Sequence, residues 1–315
     1  MSEAPFPVEP ASRPHRRLGY LMAAAAATLW GVNGTVSKII LASGVSSLRL
    51  TEVRCAGAFA GLAVILAVRA PQRMRVRAKE VPFLALFGIG GLAFVQWFYF
   101  LSIHRVPIGI ALLVQYLAPL LVALWARFVY HDTVRRRIWV ALGLALAGLA
   151  LIVNVFGGGA SLSTAGIAFA LGGALAYAFY VLLAEHAISG RDAVSLLGYG
   201  FAFASLFWAV VAPWWSFSWG ILGETTSLGG HLDSVQAPVW ALVAWMVVLG
   251  TMIPFFLLVS ALRHITATRA GIVAMLEPVV GALVGWIWLA EGLDDVQLAG
   301  AAVVLAAIAL AQTAR

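Results

Sequence analysis

The apolar residues of this 315-residue chain fall in successive blocks of membrane-spanning length, separated by short polar or basic connections. A helix that crosses a bilayer needs about 20 predominantly apolar residues. Ten stretches qualify: 18–42, 48–68, 81–103, 107–130, 138–156, 164–186, 193–217, 237–262, 267–290 and 295–313. With 63% hydrophobic and 10% charged residues divided in this way, the chain has no room for a soluble catalytic domain. The pattern predicts an all-α polytopic membrane protein with a tail at 1–17, rich in proline.

The net charge of +7 invites a nucleic-acid reading, but position argues against it. If the spans alternate, Arg13, Arg16, Arg17, Arg69, Arg73, Arg75, Arg77, Lys79, Arg127, Arg135, Arg136, Arg137, Arg191, Arg263, Arg269 and Arg315 share one side, and only Lys38, Arg49, Arg54 and Arg105 face the other. By the positive-inside rule both termini are cytoplasmic, and the basic surplus meets lipid headgroups, with no role for nucleic acid. Lys38 reads as a snorkelling side chain, and Arg49, Glu52 and Arg54 as a mutually paired cluster at the outer surface. Gly143 and Ala147 read as a small-residue packing face in span five. The longest connection, 218–236, is polar and carries His231 and Asp233, too sparse for a metal site. The sole cysteine, Cys55, excludes an internal disulfide and a Cys-cluster metal site. No cofactor is expected.

One ionisable residue lies near the centre of span nine. Glu277 precedes Pro278, in a run where Ala270, Ala274, Gly281 and Gly285 share its helical face. An acid at that depth is costly and marks a functional site by default. Pro278 donates no amide, which frees the carbonyl of Ala274 one turn earlier; Pro119 does the same for Gln115 in span four, and Pro254 kinks span eight.

The chain also repeats itself. At a spacing of 159 residues, 113–124 lies over 272–283, with Val114, Leu117, Pro119, Ala123 and Leu124 over Val273, Leu276, Pro278, Ala282 and Leu283. A weaker match sets Trp30 over Tyr177 and Asn33 over Tyr180. Two repeats follow, 18–156 and 164–313, of five spans each, and an odd number inverts the second in the membrane. The loops after spans four and nine agree: one carries Arg135 to Arg137, the other Glu291, Asp294 and Asp295. Inverted repeats in carriers place the substrate between the halves near the midplane.

The ten spans, the two five-span halves, Trp30-Gly31-Val32-Asn33 in the first span and Leu276-Glu277-Pro278 in the ninth resemble the EamA-type carriers of the drug/metabolite transporter superfamily. Within it, residues 99–121 are similar to the branch exporting threonine and homoserine, with the amide Gln115 where that branch commonly has an acid. The resemblance implies export.

Together these features predict a monomeric secondary transporter that moves a small polar metabolite, such as an amino acid, by alternating access, with proton coupling. The candidate substrate contacts are Trp30, Asn33, Gln96, Tyr99, Gln115, Tyr177, Tyr180 and Glu277, with Glu277 also the proton carrier. A facilitative pore or a membrane sensor is the alternative. For an intramembrane enzyme the chain offers no HExxH, Walker or GxSxG motif.

Overall fold

A computed structural model describes residues 15–103, 105–106, 108–153, 163–292 and 294–313. The tail up to residue 14, His104 and the connection 154–162 lie outside them. The described chain is almost entirely helical. In the first repeat the helices are α1 (Arg16–Ala42), α2 (Ser47–Arg69), α3 (Val81–Ala85), α4 (Phe94–Ile103), α5 (Ile108–Gln115), α6 (Ala118–Phe128) and α7 (Arg136–Ile152). In the second they are α8 (Thr164–Ala187), α9 (Ala193–Val211), α10 (Val239–Val247), α11 (Ile253–Ala261), α12 (Ala267–Ala274), α13 (Leu276–Leu289) and α14 (Asp295–Thr313). Helix α1 opens at Arg16, inside the stretch expected to be tail.

Eight helices among the described residues are long and apolar enough to cross a membrane. The other two expected spans are helical as well, α1 with 27 residues and α7 with 17. Local chemistry sets several starts. The side chains of Ser46, Ser163, Asp192 and Thr266 accept from backbone amides three residues on, which supplies the first turn of α2, α8, α9 and α12 with acceptors it lacks internally. Asp294 and Gln297 close a reciprocal cap on α14, at 2.8 and 3.1 Å.

Four spans are interrupted. Span three runs α3, a π-helical segment 86–93, then α4; span eight runs α10, a π-helical segment 248–252, then α11. Span four breaks at Tyr116 and Leu117, between α5 and α6, and span nine breaks at Met275, between α12 and α13. At the 159-residue spacing of the repeat, the two π segments end at equivalent positions and Tyr116 falls on Met275. The two halves share their irregularities as well as their helices.

Contacts between helix ends join ends expected on the same side. Lys38 pairs with Glu291 at 2.7 Å, and Gln297 donates to the Ile152 carbonyl at 3.1 Å. At the other side Arg191 pairs with Glu80 at 2.8 Å, Arg73 lies 3.7 Å from Asp192, and the Tyr20 hydroxyl donates to the Ala311 carbonyl at 3.2 Å. Glu185 accepts from the Ala267 amide at 3.1 Å, tying α8 to the start of α12.

Lys38 is exposed, as a snorkelling side chain is, and pairs there with Glu291. Several expectations change. Glu52 is fully buried and pairs with Arg49 at 2.6 Å. Arg49 in turn donates to the carbonyls of Ala212 and Pro213 and to Ser216. Arg54 leaves this cluster altogether and turns inward. Gly143 and Ala147 are exposed; the packing face of α7 is Ala141, Ala145 and Gly148, which meets α14 at Gly300. The connection after α9 contains a hairpin of β1 (Thr225–Ser227) and β2 (Gln236–Pro238), antiparallel with Thr226 opposite Ala237. It docks on α13: the Trp288 indole donates to the Leu228 carbonyl at 3.0 Å, and Gly230, at φ +54°, lies so close to the Trp288 and Leu289 backbone that no Cβ fits.

Candidate functional site

The two broken helices cross where Pro119 of one meets Gly271 of the other. A Cβ on Gly271 of α12 would stand 2.9 Å from the Pro119 ring of α6, so this crossing requires a residue without a side chain. The crossing brings the breaks together. The Tyr116 hydroxyl donates to Glu277 Oε2 at 2.7 Å and stands 3.5 Å from the Ala274 carbonyl, the acceptor that Pro278 leaves without an amide. Helix α1 closes over the same point: a Cβ on Gly31 would lie 2.8 Å from the Glu277 carbonyl and 2.7 Å from Val280.

Glu277 is half-buried and lies within electrostatic range of Tyr99, Tyr116, Tyr177 and Arg54. These residues come from α4, the α5–α6 break, α8 and α2, so the acid faces the interior between the repeats. Gln115 is adjacent: a Cβ on Gly173, one turn before Tyr177, would lie 3.5 Å from its Oε1. Arg54 donates from Nε to Thr251 Oγ1 at 3.0 Å and from Nη2 to the Gly250 carbonyl at 3.4 Å. The Thr251 hydroxyl in turn donates to the Met246 carbonyl at 3.0 Å. These acceptors belong to the π segment 248–252 and its approach, where the α-helical pairing is reorganised.

The remaining candidates divide. Gln96 donates to the Leu92 carbonyl at 3.3 Å and lies 3.7 Å from Cys55, the neighbour of Arg54 in the chain. Trp30 is buried with its ring edge-on to Phe255, centroids 5.1 Å apart. Asn33 is buried against Gly250 and donates to Ser37 of its own helix at 3.4 Å, in place of the interhelical bond its polarity suggests. Tyr180 is 1% exposed, between Phe87 and Phe255, and its hydroxyl has no partner among the described residues. Trp30, Asn33 and Tyr180 are therefore packed into the interior, while Tyr99 and Tyr177 stand within electrostatic range of the acid and Gln115 lies against α8.

Tyr116 and Arg54 are the residues that sequence reasoning passed over. Arg54 lies seven residues into α2, about 10 Å along the axis at 1.5 Å per residue, deeper than an interfacial pair requires. Among the described residues no group of three His, Cys, Asp or Glu side chains could hold a metal ion. The chemistry available is thus a carboxylate that can take a proton or a cation, a guanidinium that can take an anion, and tyrosine rings beside the carboxylate.

Known proteins resemble the chain along most of its length. The sequence profile of the EamA-like transporter family matches residues 17–154 and again 164–313. The threonine/homoserine exporter RhtA of Escherichia coli (strain K12) is 27% identical over 269 residues, covering 85% of this chain and 81% of that protein. The uncharacterized inner membrane transporter YicL of Salmonella typhimurium is 25% identical over 280 residues, covering 87% and 88%. A solved crystal structure superposes with a TM-score of 0.77 at 19% identity, covering 93% of this chain and 96% of its own, a likeness of fold.

Proposed function

Because the chain belongs to the EamA-like transporter family, we propose that it exports a small polar metabolite, an amino acid or a related amphipathic compound, by alternating access across the cytoplasmic membrane. Ten spans with both termini cytoplasmic complete this reading. The observation that carries it is the bond from Tyr116 to Glu277, which joins the break in one repeat to the acid beside the break in the other. A carrier of inverted repeats binds at such a place, where unwound backbone and polar groups face each other between bodies that rock. The relative named for threonine and homoserine export supports an amino acid as cargo.

Glu277 is the proton carrier in this scheme. Ionised, it accepts from Tyr116 and attracts a cationic or donor group of the substrate. Protonated, it no longer holds that charge, and the substrate leaves. Tyr99 and Tyr177 supply ring faces and hydroxyls. The packed residues Trp30, Asn33 and Tyr180 hold these side chains in place, and Gln96 and Gln115 offer amides at the edges.

Purified protein in proteoliposomes tests the proposal. With an imposed pH gradient, labelled threonine should accumulate against its own gradient, and Glu277→Gln should abolish accumulation while leaving the protein folded. Flux that only equilibrates threonine, with or without the pH gradient, would instead identify a facilitative pore.

A further inference from the structure

A second charge shares the interior with Glu277, and the two do not touch. Both stand against the same stretch of α1, where the Gly250 that accepts from Arg54 packs on Asn33 and the Glu277 carbonyl packs on Gly31, yet neither belongs to an ion pair within 4 Å among the described residues. Both would gain from closing that gap, since an uncompensated charge away from water is costly. Each is held back by its own tether. Thr251 and the Gly250 carbonyl fix Arg54 to span eight, and the Tyr116 hydroxyl fixes Glu277 to span four. Both partners of Arg54 are neutral, and its Nη1 meets no acceptor among the described residues. The result is a positive pole and a negative pole facing one interior, with the half-buried side chains of Tyr99 and Tyr177 beside the negative one.

We propose that Arg54 is the anion-binding pole of the substrate site, so that the compound carried is a zwitterion whose carboxylate accepts from the guanidinium while its ammonium donates to Glu277. This rests on the reading of Glu277 as part of the transport site and extends it to substrate class. A zwitterion satisfies both poles at once and adds no net charge to the interior. An amine leaves Arg54 without an anion, and a simple carboxylic acid leaves Glu277 without a cation; each is rejected because a buried charge stays unpaired. The planar fork of Nη1 and Nη2 suits a carboxylate better than a lysine ammonium does.

The test compares three probes on full-length protein in proteoliposomes: L-threonine, 1-amino-2-propanol, which is the same skeleton without the carboxylate, and N-acetyl-L-threonine, which lacks the cation. Wild type should prefer threonine to the amino alcohol. Arg54→Gln should shrink that preference roughly 10- to 100-fold, the loss of one charge-assisted bond, and Arg54→Lys should restore part of it. N-acetyl-L-threonine, which leaves Glu277 without a cation, should compete far more weakly than threonine in wild type and more weakly still in Arg54→Gln; competition equal to threonine in wild type overturns the two-pole assignment. An unchanged preference in folded Arg54→Gln overturns the assignment while the transport reading stands. If Arg54→Gln is unstable, Arg54→Lys decides: a preference equal to wild type overturns the assignment, and an intermediate one supports it. A wild type that moves no zwitterion overturns the amino-acid reading, and this inference with it.

Discussion

The hydroxyl of Tyr116 reaches across the two repeats to the carboxylate of Glu277 at 2.7 Å, so the acid of one half is held by the other. Tyr116→Phe removes that donor and keeps the ring. Losing a hydrogen bond to a charged group costs about 1.5–3 kcal/mol, which here should appear mainly as weaker substrate binding, because Glu277 loses its fixed position. Proteoliposome uptake over a range of substrate concentrations should give a KM raised about tenfold or more, with the melting temperature little changed. An unaltered KM would exclude a positioning role for the hydroxyl.

Gly148 and Gly300 bring α7 and α14 into backbone contact. A Cβ on Gly148 would stand 2.8 Å from the Gly300 carbonyl and 2.9 Å from the Val304 amide, neither of which can yield like a flexible side chain. Gly148→Ala should cost about 1–3 kcal/mol of stability, as overpacking does. A detergent melt that matches wild type would contradict this close approach.

At the side shared by the α2–α3 and α8–α9 connections, Arg191 is only 8% exposed and Glu80 13%. Arg191 also donates to the Arg75 carbonyl and to Ser195, so it fastens the segment between α2 and α3 onto α9. Arg191→Ala should cost about 1–3 kcal/mol, since it strands a part-buried carboxylate, and should raise hydrogen exchange across residues 71–80. The exposed pair of Lys38 and Glu291 is the contrast: Lys38→Gln should cost at most about 1 kcal/mol.

His264, in the turn between α11 and α12, is held below its ordinary value of 6.5 by burial, and then by the neighbouring His15 and Arg263. The folded chain therefore takes up this proton at lower pH than the unfolded chain does. Its contribution is complete above 6.5 and is lost as the pH falls through the folded value. The melting temperature should drop as the buffer is acidified below that point, and His264→Gln should flatten the drop. A parallel drop in the variant would assign the acid sensitivity elsewhere.

Much of the site was legible because depth and repetition leave marks in a sequence. Glu277 stands out in an apolar run, Pro278 predicts an unpaired Ala274 carbonyl, and the 159-residue spacing sets span four over span nine. What escaped was partnership. A tyrosine in mid-span reads as packing, so Tyr116 carried no signal of the acid it meets. Arg54 sits two residues from Glu52, and its charge groups it with that acid in the sequence, yet on a helix positions two apart point to different faces, and only the neighbouring span decides which face is interior. The small-residue spacing of Gly143 and Ala147 identified a groove on α7, but Gly148 occupies the one that α14 fills. The π segments have no residue signature comparable to proline, and each shifts the helical phase of the residues beyond it, so a uniform helical wheel misplaces Gln96 and Tyr99.

The contact of Gly148 with Gly300 also bears on which parts of the molecule can move. Helices α7 and α14 close their respective halves, and where they cross, main chain lies against main chain with no long side chains to change rotamer between. Such a joint resists sliding and permits pivoting, like a pin through two plates. Under the alternating access proposed above, the last helix of each half would serve as the stationary keel, and the strokes of the cycle would fall to the broken spans.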